Sequence, residues 1–451
     1  MSIRISYHGD RLQMSNLKCH CGHQHNQPMQ DIYVGTGLID QLASYVDARE
    51  LGTNCVLVAD EITYEVAGRK AYDALIKGGY QVTLCVLQRE GELIPDESAV
   101  GEVLMTMSMS TEFFVSVGSG SITDTTRTVA AQTERPFVCV GTAPSMDGYT
   151  SVIAPMILRG TKVHVQAICP EIIVCDLDVL RTAPVDMFIS GVGDVLGKYI
   201  AKADWVISSI VTDEIYCPSC GEIVTDAVNK LLKNIPEIKA RTETGTRILI
   251  EALLLAGMTI MVIGNTRAVA SVEHNIAHYW EMQQLQAGKR PPQHGTSVGV
   301  STLLIWPYFE QFKALDPSKF DKQRALSQQL SHAQRERFMI ESYGEATARS
   351  IMKENPGDFL TPEQLAARFD AVSANFHAIV QELNQLPSYD TIRQAMIDLG
   401  SPLLPSEIDI DEALTHRSLM CAKDYRTRYT LFKSIDELGL SPDSPEFAKQ
   451  V

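Results

Sequence analysis

Positive charge is what this sequence is short of. Against 55 Asp and Glu stand only 39 Lys and Arg, a formal charge of −16. A chain so acidic presents no general basic face for nucleic acid or an anionic membrane surface, and neither is expected as a partner. A small anionic substrate needs only a few local Lys or Arg and stays open. Long apolar runs are scarce too. The longest, "ILIEALLLAGMTIMVIG" at 248–264, has 17 residues with Glu251 inside, which fits a buried core helix better than a membrane span. The stretch "MSIRISYHGDRLQ" has no apolar segment of the secretory kind, so the expected location is the cytoplasm. Ten cysteines in 451 residues are too few for a disulfide scaffold and should be free thiols in a reducing compartment. There is no internal repeat and no low-complexity tract.

What is present is an ordinary globular composition, 45% hydrophobic and 21% charged, in a chain long enough for two or three cores. Residues 1–30 are polar and pattern-poor and read as an extension carrying a Cys/His cluster. From 31 to 183 short β-branched runs ("NCVLVAD", "QVTLCVL", "EFFVSVG", "PFVCVG", "EIIVCDL") alternate with helical patterns. That texture predicts a parallel sheet covered by helices, a Rossmann-like α/β domain. Cys55, Cys85, Cys139 and Cys175 lie inside those runs as small buried hydrophobes. From 184 to 451 only helical patterns remain, among them "PVDMFISGVGDVLGKYIAKADWVISSI" and "TPEQLAARFDAVSANFHAIVQEL", predicting an all-helical domain.

Three features carry chemistry. "FFVSVGSGSITDTTRTVA" (113–130) reads as strand, glycine turn and helix: Gly118 and Gly120 allow a tight bend, Ser119, Ser121 and Thr123 add hydroxyls, and the helix start offers N–H groups to a phosphate. A plain strand-to-helix turn explains it equally, because Thr123 breaks the G-x-G-x-x-G pattern. Asp60, ending "NCVLVAD", can accept from ribose hydroxyls, which favours NAD over NADP without barring the latter, or can cap the next helix. In "ASVEHNIAHYW", His274 and His278 share a helix face. Asp194 falls mid-helix among apolar residues, where an ionised carboxylate is costly unless paired with Lys198 or bound to metal. His294 opens a further helix after "RPPQ". One acid and two or three histidines can make an open site for Zn, Fe(II) or Ni, although each histidine alone is more often structural.

The segments "VGSGSITDTTR", "GTAPSMDGYTS", "VCDLDVL", "GVGDVLGKYIAKADW", "GNTRAVASVEHNIAHYWEM", "QHGTSVGV" and "YRTRYTL", in that order over about residues 31 to 435, resemble the iron-containing alcohol dehydrogenase and dehydroquinate synthase-like superfamily. Within it they are most similar to the bacterial NAD-dependent sn-glycerol-1-phosphate dehydrogenases. The resemblance implies that Asp194, His274 and His294 hold one divalent metal (Zn, Ni or Fe). It places His278 and Asp147 at the substrate, and lines NAD with Gly118, Ser119, Gly120, Ser121, Ile122, Thr123, Asp124, Thr142, Ser145 and Ser151. The implied reaction is reversible reduction of dihydroxyacetone phosphate to sn-glycerol 1-phosphate, serving phospholipid metabolism in a homodimer or larger homo-oligomer. Where the family reads nearer "NSRPASGSEH", this chain has "NTRAVASVEH", which loosens the choice of substrate.

Arg267 is the candidate cation for the substrate phosphate; a salt bridge to Glu273 or Asp194 is its plainer role. "KCHCGHQH" (18–25) and "CPSCG" (217–221) supply ligand types for a second Zn at Cys19, Cys21, Cys217 and Cys220. A redox pair or chance thiols explain them as well. The rival functions are a polyol dehydrogenase of the same fold, a lyase of the dehydroquinate synthase kind, and a non-catalytic metal or redox sensor.

Overall fold

The computed structural model describes residues 3–15, 19–22, 24–26, 30–89, 91, 93–159, 161–355 and 360–447. The chain divides into two compact units. The first holds residues 1–20, 24–195 and 226–265, and the second 21–23, 196–225 and 266–451.

An eight-stranded sheet forms the frame of the first unit. Its strands are β1 (Arg4–His8), β2 (Arg11–Ser15), β3 (Asp31–Gly35), β4 (Asn54–Asp60), β5 (Gln81–Leu87), β6 (Phe113–Gly118), β7 (Phe137–Gly141) and, after a separate antiparallel pair β8 (Ile153–Leu158) and β9 (Thr161–Gln166), β10 (Ile172–Asp176). The order is β1-β2-β3-β10-β7-β6-β4-β5, parallel from β3 onward. The five expected β-branched runs are all strands; β4, β6, β7 and β10 are buried on both faces, as a helix-covered parallel sheet requires, while β5 at the sheet edge is partly exposed. Helices α1 (Leu42–Arg49), α2 (Arg69–Lys77), α3 (Glu97–Thr106) and α4 (Gly120–Gln132) connect them.

Residues 3–15 are not a loose extension. β1 and β2 form an antiparallel hairpin, and β2 pairs with β3 through Arg11–Tyr33 and Leu12–Ile32. Ile3, Leu12 and Met14 are buried, while the intervening polar residues hide the alternation in the sequence.

The remaining helices of the site are α5 (Val185–Leu196), α6 (Lys198–Thr212), α7 (Pro218–Leu232), α8 (Glu243–Ile263), α9 (Val272–Gln286) and α10 (His294–Phe312). The pattern at 184–210 is two helices, broken at Gly197. The apolar run forms α8, the one described helix long and apolar enough to cross a membrane. It is a core helix, 78% of its most apolar stretch being buried, and it groups with the sheet in the first unit. Glu251 inside it accepts from the Tyr7 hydroxyl at 2.8 Å and pairs with Lys230 at 3.1 Å. At Gly257 a Cβ would overlap the Thr150 hydroxyl, so helix and loop meet there backbone to side chain.

Candidate active site

In the first unit the chain leaves β4 toward β5 on one side and β6 on the other. The carboxyl ends of β4 and β6 therefore flank the point where strand order reverses, where open α/β sheets bind ligands. Val58 lies opposite Ser116, which sets Asp60 level with Gly118. Asp60 caps the turn that follows: its Oδ1 accepts from Thr63 N at 2.7 Å, and Thr63 Oγ1 accepts from Asp60 N at 3.1 Å.

After Gly118 the chain turns directly into α4. A Cβ on Gly118 would press on Ile122, so this turn needs glycine. No side chain caps α4. Ser119 Oγ instead bonds Ser145 Oγ at 2.7 Å, and the first α4 N–H with a helical acceptor is that of Thr123, to Ser119 O at 3.0 Å. The N–H groups of Gly120, Ser121 and Ile122 thus start the helix without intrahelical acceptors, a seat for an anion.

Two expected contributors face elsewhere. Ile122 and Thr123 are buried, with Thr123 Oγ1 3.6 Å from Cys139 Sγ, so neither side chain presents itself at the turn. Asp124 pairs with Arg127 at 3.3 Å, and burial pushes its carboxyl up to about 7. Thr142 N donates to Gly118 O at 3.2 Å, closing the next loop on the turn. Ser151 Oγ donates to Ile153 O at 2.8 Å. Arg127 holds the 148–153 loop through Gly148 O at 2.7 Å, Tyr149 O at 3.0 Å and Ile153 O at 3.1 Å. Asp147 N in that loop donates to Asp194 Oδ2 at 3.0 Å, so Asp147 and the fully buried Asp194 come together. Gly191, one turn earlier on α5, lies against the Pro144 carbonyl.

The second unit gathers three imidazoles. The ring centroids of His274 and His294 are 5.4 Å apart, those of His278 and His294 are stacked at 5.0 Å, and those of His274 and His278 are 6.4 Å apart. Each Nδ1 meets a carboxylate. His274 Nδ1 lies 2.7 Å from Glu273 Oε1, His294 Nδ1 2.7 Å from Glu281 Oε1, and His278 Nδ1 3.3 Å from Glu281 Oε2. An ionised carboxylate only accepts, so each Nδ1 donates; in the neutral imidazole Nε2 then carries the lone pair, the form in which imidazole binds metal. Glu273 and Glu281 are both buried. Tyr425 completes the cluster, its ring 5.9 Å from that of His278, and the Arg426 guanidinium lies 5.4 Å over the Tyr425 ring.

Beneath this cluster Glu273 Oε1 also accepts from Ser271 N at 2.8 Å, and Ser271 Oγ donates to Asp204 Oδ2 at 2.6 Å. Arg267 belongs to the same foundation. Its Nε donates to Glu214 at 3.1 Å, and its terminal nitrogens to Ser271 Oγ at 3.3 Å, Asp204 O at 3.0 Å and Tyr429 O at 2.6 Å. It is 2% exposed, so the expected phosphate role does not suit it. Arg428 clamps the same turn through Ala270 O at 2.5 Å and Thr266. The sequence offered Glu273 only as a partner for Arg267 and did not single out Glu281 as a support for the imidazoles, although the two acids stand one residue before His274 and three after His278.

A family model for iron-containing alcohol dehydrogenases matches residues 33–184. Over 425 residues the chain is 31% identical to the glycerol-1-phosphate dehydrogenase (NAD(P)+) of Geobacillus stearothermophilus, spanning 93% of this chain and 96% of that one. With the protein of the same name from Halalkalibacterium halodurans it shares 32% over 354 residues, 77% of this chain and 88% of the other. The chain belongs to the glycerol-1-phosphate dehydrogenase family. Among solved structures, an archaeal halo-thermophilic alcohol dehydrogenase from a Red Sea brine pool matches 92% of this chain and 97% of its own, with a TM-score of 0.58 and 15% identity, a likeness of fold alone.

Proposed function

We propose that this chain reduces dihydroxyacetone phosphate with NAD(P)H and a proton to sn-glycerol 1-phosphate and NAD(P)+, reversibly, at a divalent metal centre. The observation that carries this is the imidazole cluster with every Nδ1 on a buried carboxylate, in a chain of this family. Asp194 joins His274 and His294 as ligands for Zn, Ni or Fe(II), a donor set of one hard oxygen and two imidazoles that suits those ions. A metal held there would supply Lewis-acid polarisation of the ketone, and a bound nicotinamide would supply the hydride. His278, its Nδ1 held by Glu281, relays to the C2 oxygen a proton that its Nε2 first takes up from water. Asp147 orients a substrate hydroxyl. The uncapped start of α4, with Gly118–Asp124, Thr142, Ser145 and Ser151 around it, takes the cofactor's phosphates. The Asp60 oxygen not used in its cap meets the ribose, which weighs for NAD. Arg426, beside Tyr425, takes the substrate phosphate in place of Arg267.

The test is NADH oxidation by metal-stripped protein resupplied with Ni, Zn or Fe(II), with dihydroxyacetone phosphate against dihydroxyacetone. Turnover should need both metal and phosphate ester, and His274→Ala should abolish turnover and lose one metal equivalent. Arg426→Ala should raise KM for the phosphate ester roughly 10- to 100-fold, the size of a lost charge-assisted hydrogen bond. Equal turnover of the bare ketone would hand the site to a polyol dehydrogenase.

A further inference from the structure

The second unit holds a cavity of about 380 Å³, and every residue that lines it belongs to that unit. Its size falls within the range of small-molecule sites, roughly 300–1,000 Å³. In a chain of net charge −16, four cations gather on its wall: Arg335, Arg368, Arg428 and Lys433. Three acids share the lining, and each is already engaged. Glu214 pairs with Arg267 at 3.1 Å, and Asp436 lies 3.9 Å from Lys423. Glu437 accepts from the Tyr429 hydroxyl at 2.5 Å, and burial pushes its carboxyl up to about 7, so near neutral pH it carries only part of a charge.

Among the cations, Arg335 has its carboxylate in Asp424. Arg368 and Arg428 have none within ion-pair reach among the described residues. Arg368 donates from Nη1 to Val211 O at 3.2 Å, and its guanidinium lies 5.2 Å over the Tyr429 ring. Arg428 donates to Ala270 O at 2.5 Å and to Thr266. These partners are neutral oxygens and a ring face, and an enclosed guanidinium without a counter-charge is costly. Burial, with the like charges of Arg426 and Arg267, pulls the Arg428 guanidinium down to about 9, as a place short of negative charge does to a cation.

We propose that this cavity binds a phosphate group, free or on a small ester, through Arg368 and Arg428. Guanidinium forks match phosphate oxygens two at a time. Ser208, whose hydroxyl meets that of Thr212 at 3.1 Å, adds a donor to the wall, and Leu360 and Leu365 offer an ester's carbon an apolar surface. No lining residue is one of the three histidines or their carboxylates, and Arg426 is not among them either. The cavity is thus a second anion seat beside the one that takes the substrate. Its occupant supplies the missing counter-charge and steadies Arg428, and with it the 266–270 turn that Arg428 clamps.

The experiment is titration calorimetry of the full chain with inorganic phosphate at constant ionic strength, with melting temperature alongside. The wild type should bind one more phosphate per chain than Arg368→Gln, whose affinity at this seat should fall about 10- to 100-fold, as loss of charge-assisted hydrogen bonds predicts. Melting temperature should rise with phosphate more than with chloride of equal ionic strength, and the variant should lose that excess. KM for dihydroxyacetone phosphate should stay within twofold in Arg368→Gln. Should that variant fail to fold, Lys433→Gln is read in its place, with the same expected loss. Equal phosphate binding in variant and wild type overturns the proposal. So does a KM raised tenfold or more, which would make the cavity the substrate's own seat. Phenyl phosphate titrated into the wild type separates the sources: several-fold tighter binding than inorganic phosphate assigns an ester, and equal binding the free ion. Binding of free phosphate needs no turnover, so this outcome is separate from the fate of the catalytic reading.

Discussion

Glu281 serves two rings with one carboxylate: Oε1 receives His294 and Oε2 receives His278. Glu281→Gln keeps the shape but leaves one accepting oxygen, and its amide end donates toward a nitrogen that also donates. One imidazole then loses its partner and its fixed tautomer. We expect metal affinity about 10- to 100-fold weaker, read by chelator competition, with kcat falling more than KM rises. Affinity within twofold of the wild type would show that Glu281 does not support the ligand. Arg267 shows how charge misleads at this scale. The sequence displays a lone cation near the histidines, and only packing reveals that Glu214, Ser271 and two main-chain carbonyls occupy its guanidinium.

At the scale of elements, glycines separate turns that tolerate a side chain from contacts that do not. A Cβ at Gly191 of α5 would meet the Pro144 carbonyl, a main-chain atom that cannot rotate away. Gly191→Ala should cost about 1–3 kcal/mol in urea unfolding at unchanged m-value. Gly101→Ala in α3, where nothing lies within 4 Å of the added Cβ, should gain about 0.4–1 kcal/mol. Equal effects at both would mean that α5 shifts to make room. The same contrast marks what was legible beforehand. The parallel strands β4, β5, β6, β7 and β10 stood out as β-branched runs, and α8 as an apolar helix. The β1–β2 hairpin did not, since its partner residues alternate with Arg, Tyr and His. Nor did the break at Asn375, where a helical pattern over 361–383 becomes Pro362–Ala374 and Phe376–Leu383. Of the site, the ligand types were readable from spacing and resemblance. The carboxylates behind them were not, because hydrogen bonding to a ring nitrogen leaves no periodic trace.

Across the whole molecule the acidic balance includes carboxyls that folding holds back from ionising. Glu437 lines a cavity of about 380 Å³ in the second unit with Arg335, Arg368, Arg428 and Lys433. Burial pushes its carboxyl up to about 7, against the pull of the Tyr429 hydroxyl at 2.5 Å and of Arg368. A carboxyl raised on folding binds more protons in the native state, so its share of stability is intact below about 4.5 and is lost as pH climbs through about 7. Glu437→Gln should therefore flatten the fall in melting temperature between about pH 5 and 8; a slope equal to the wild type's would place the ionisation elsewhere. The hairpin that opens the chain has a consequence of the same reach. β1 and β2 continue the sheet past β3, which without them would present an open row of main-chain donors and acceptors. Cutting away β1 and β2 would thus leave an adhesive rim, and such a protein would be expected to stick to its own copies.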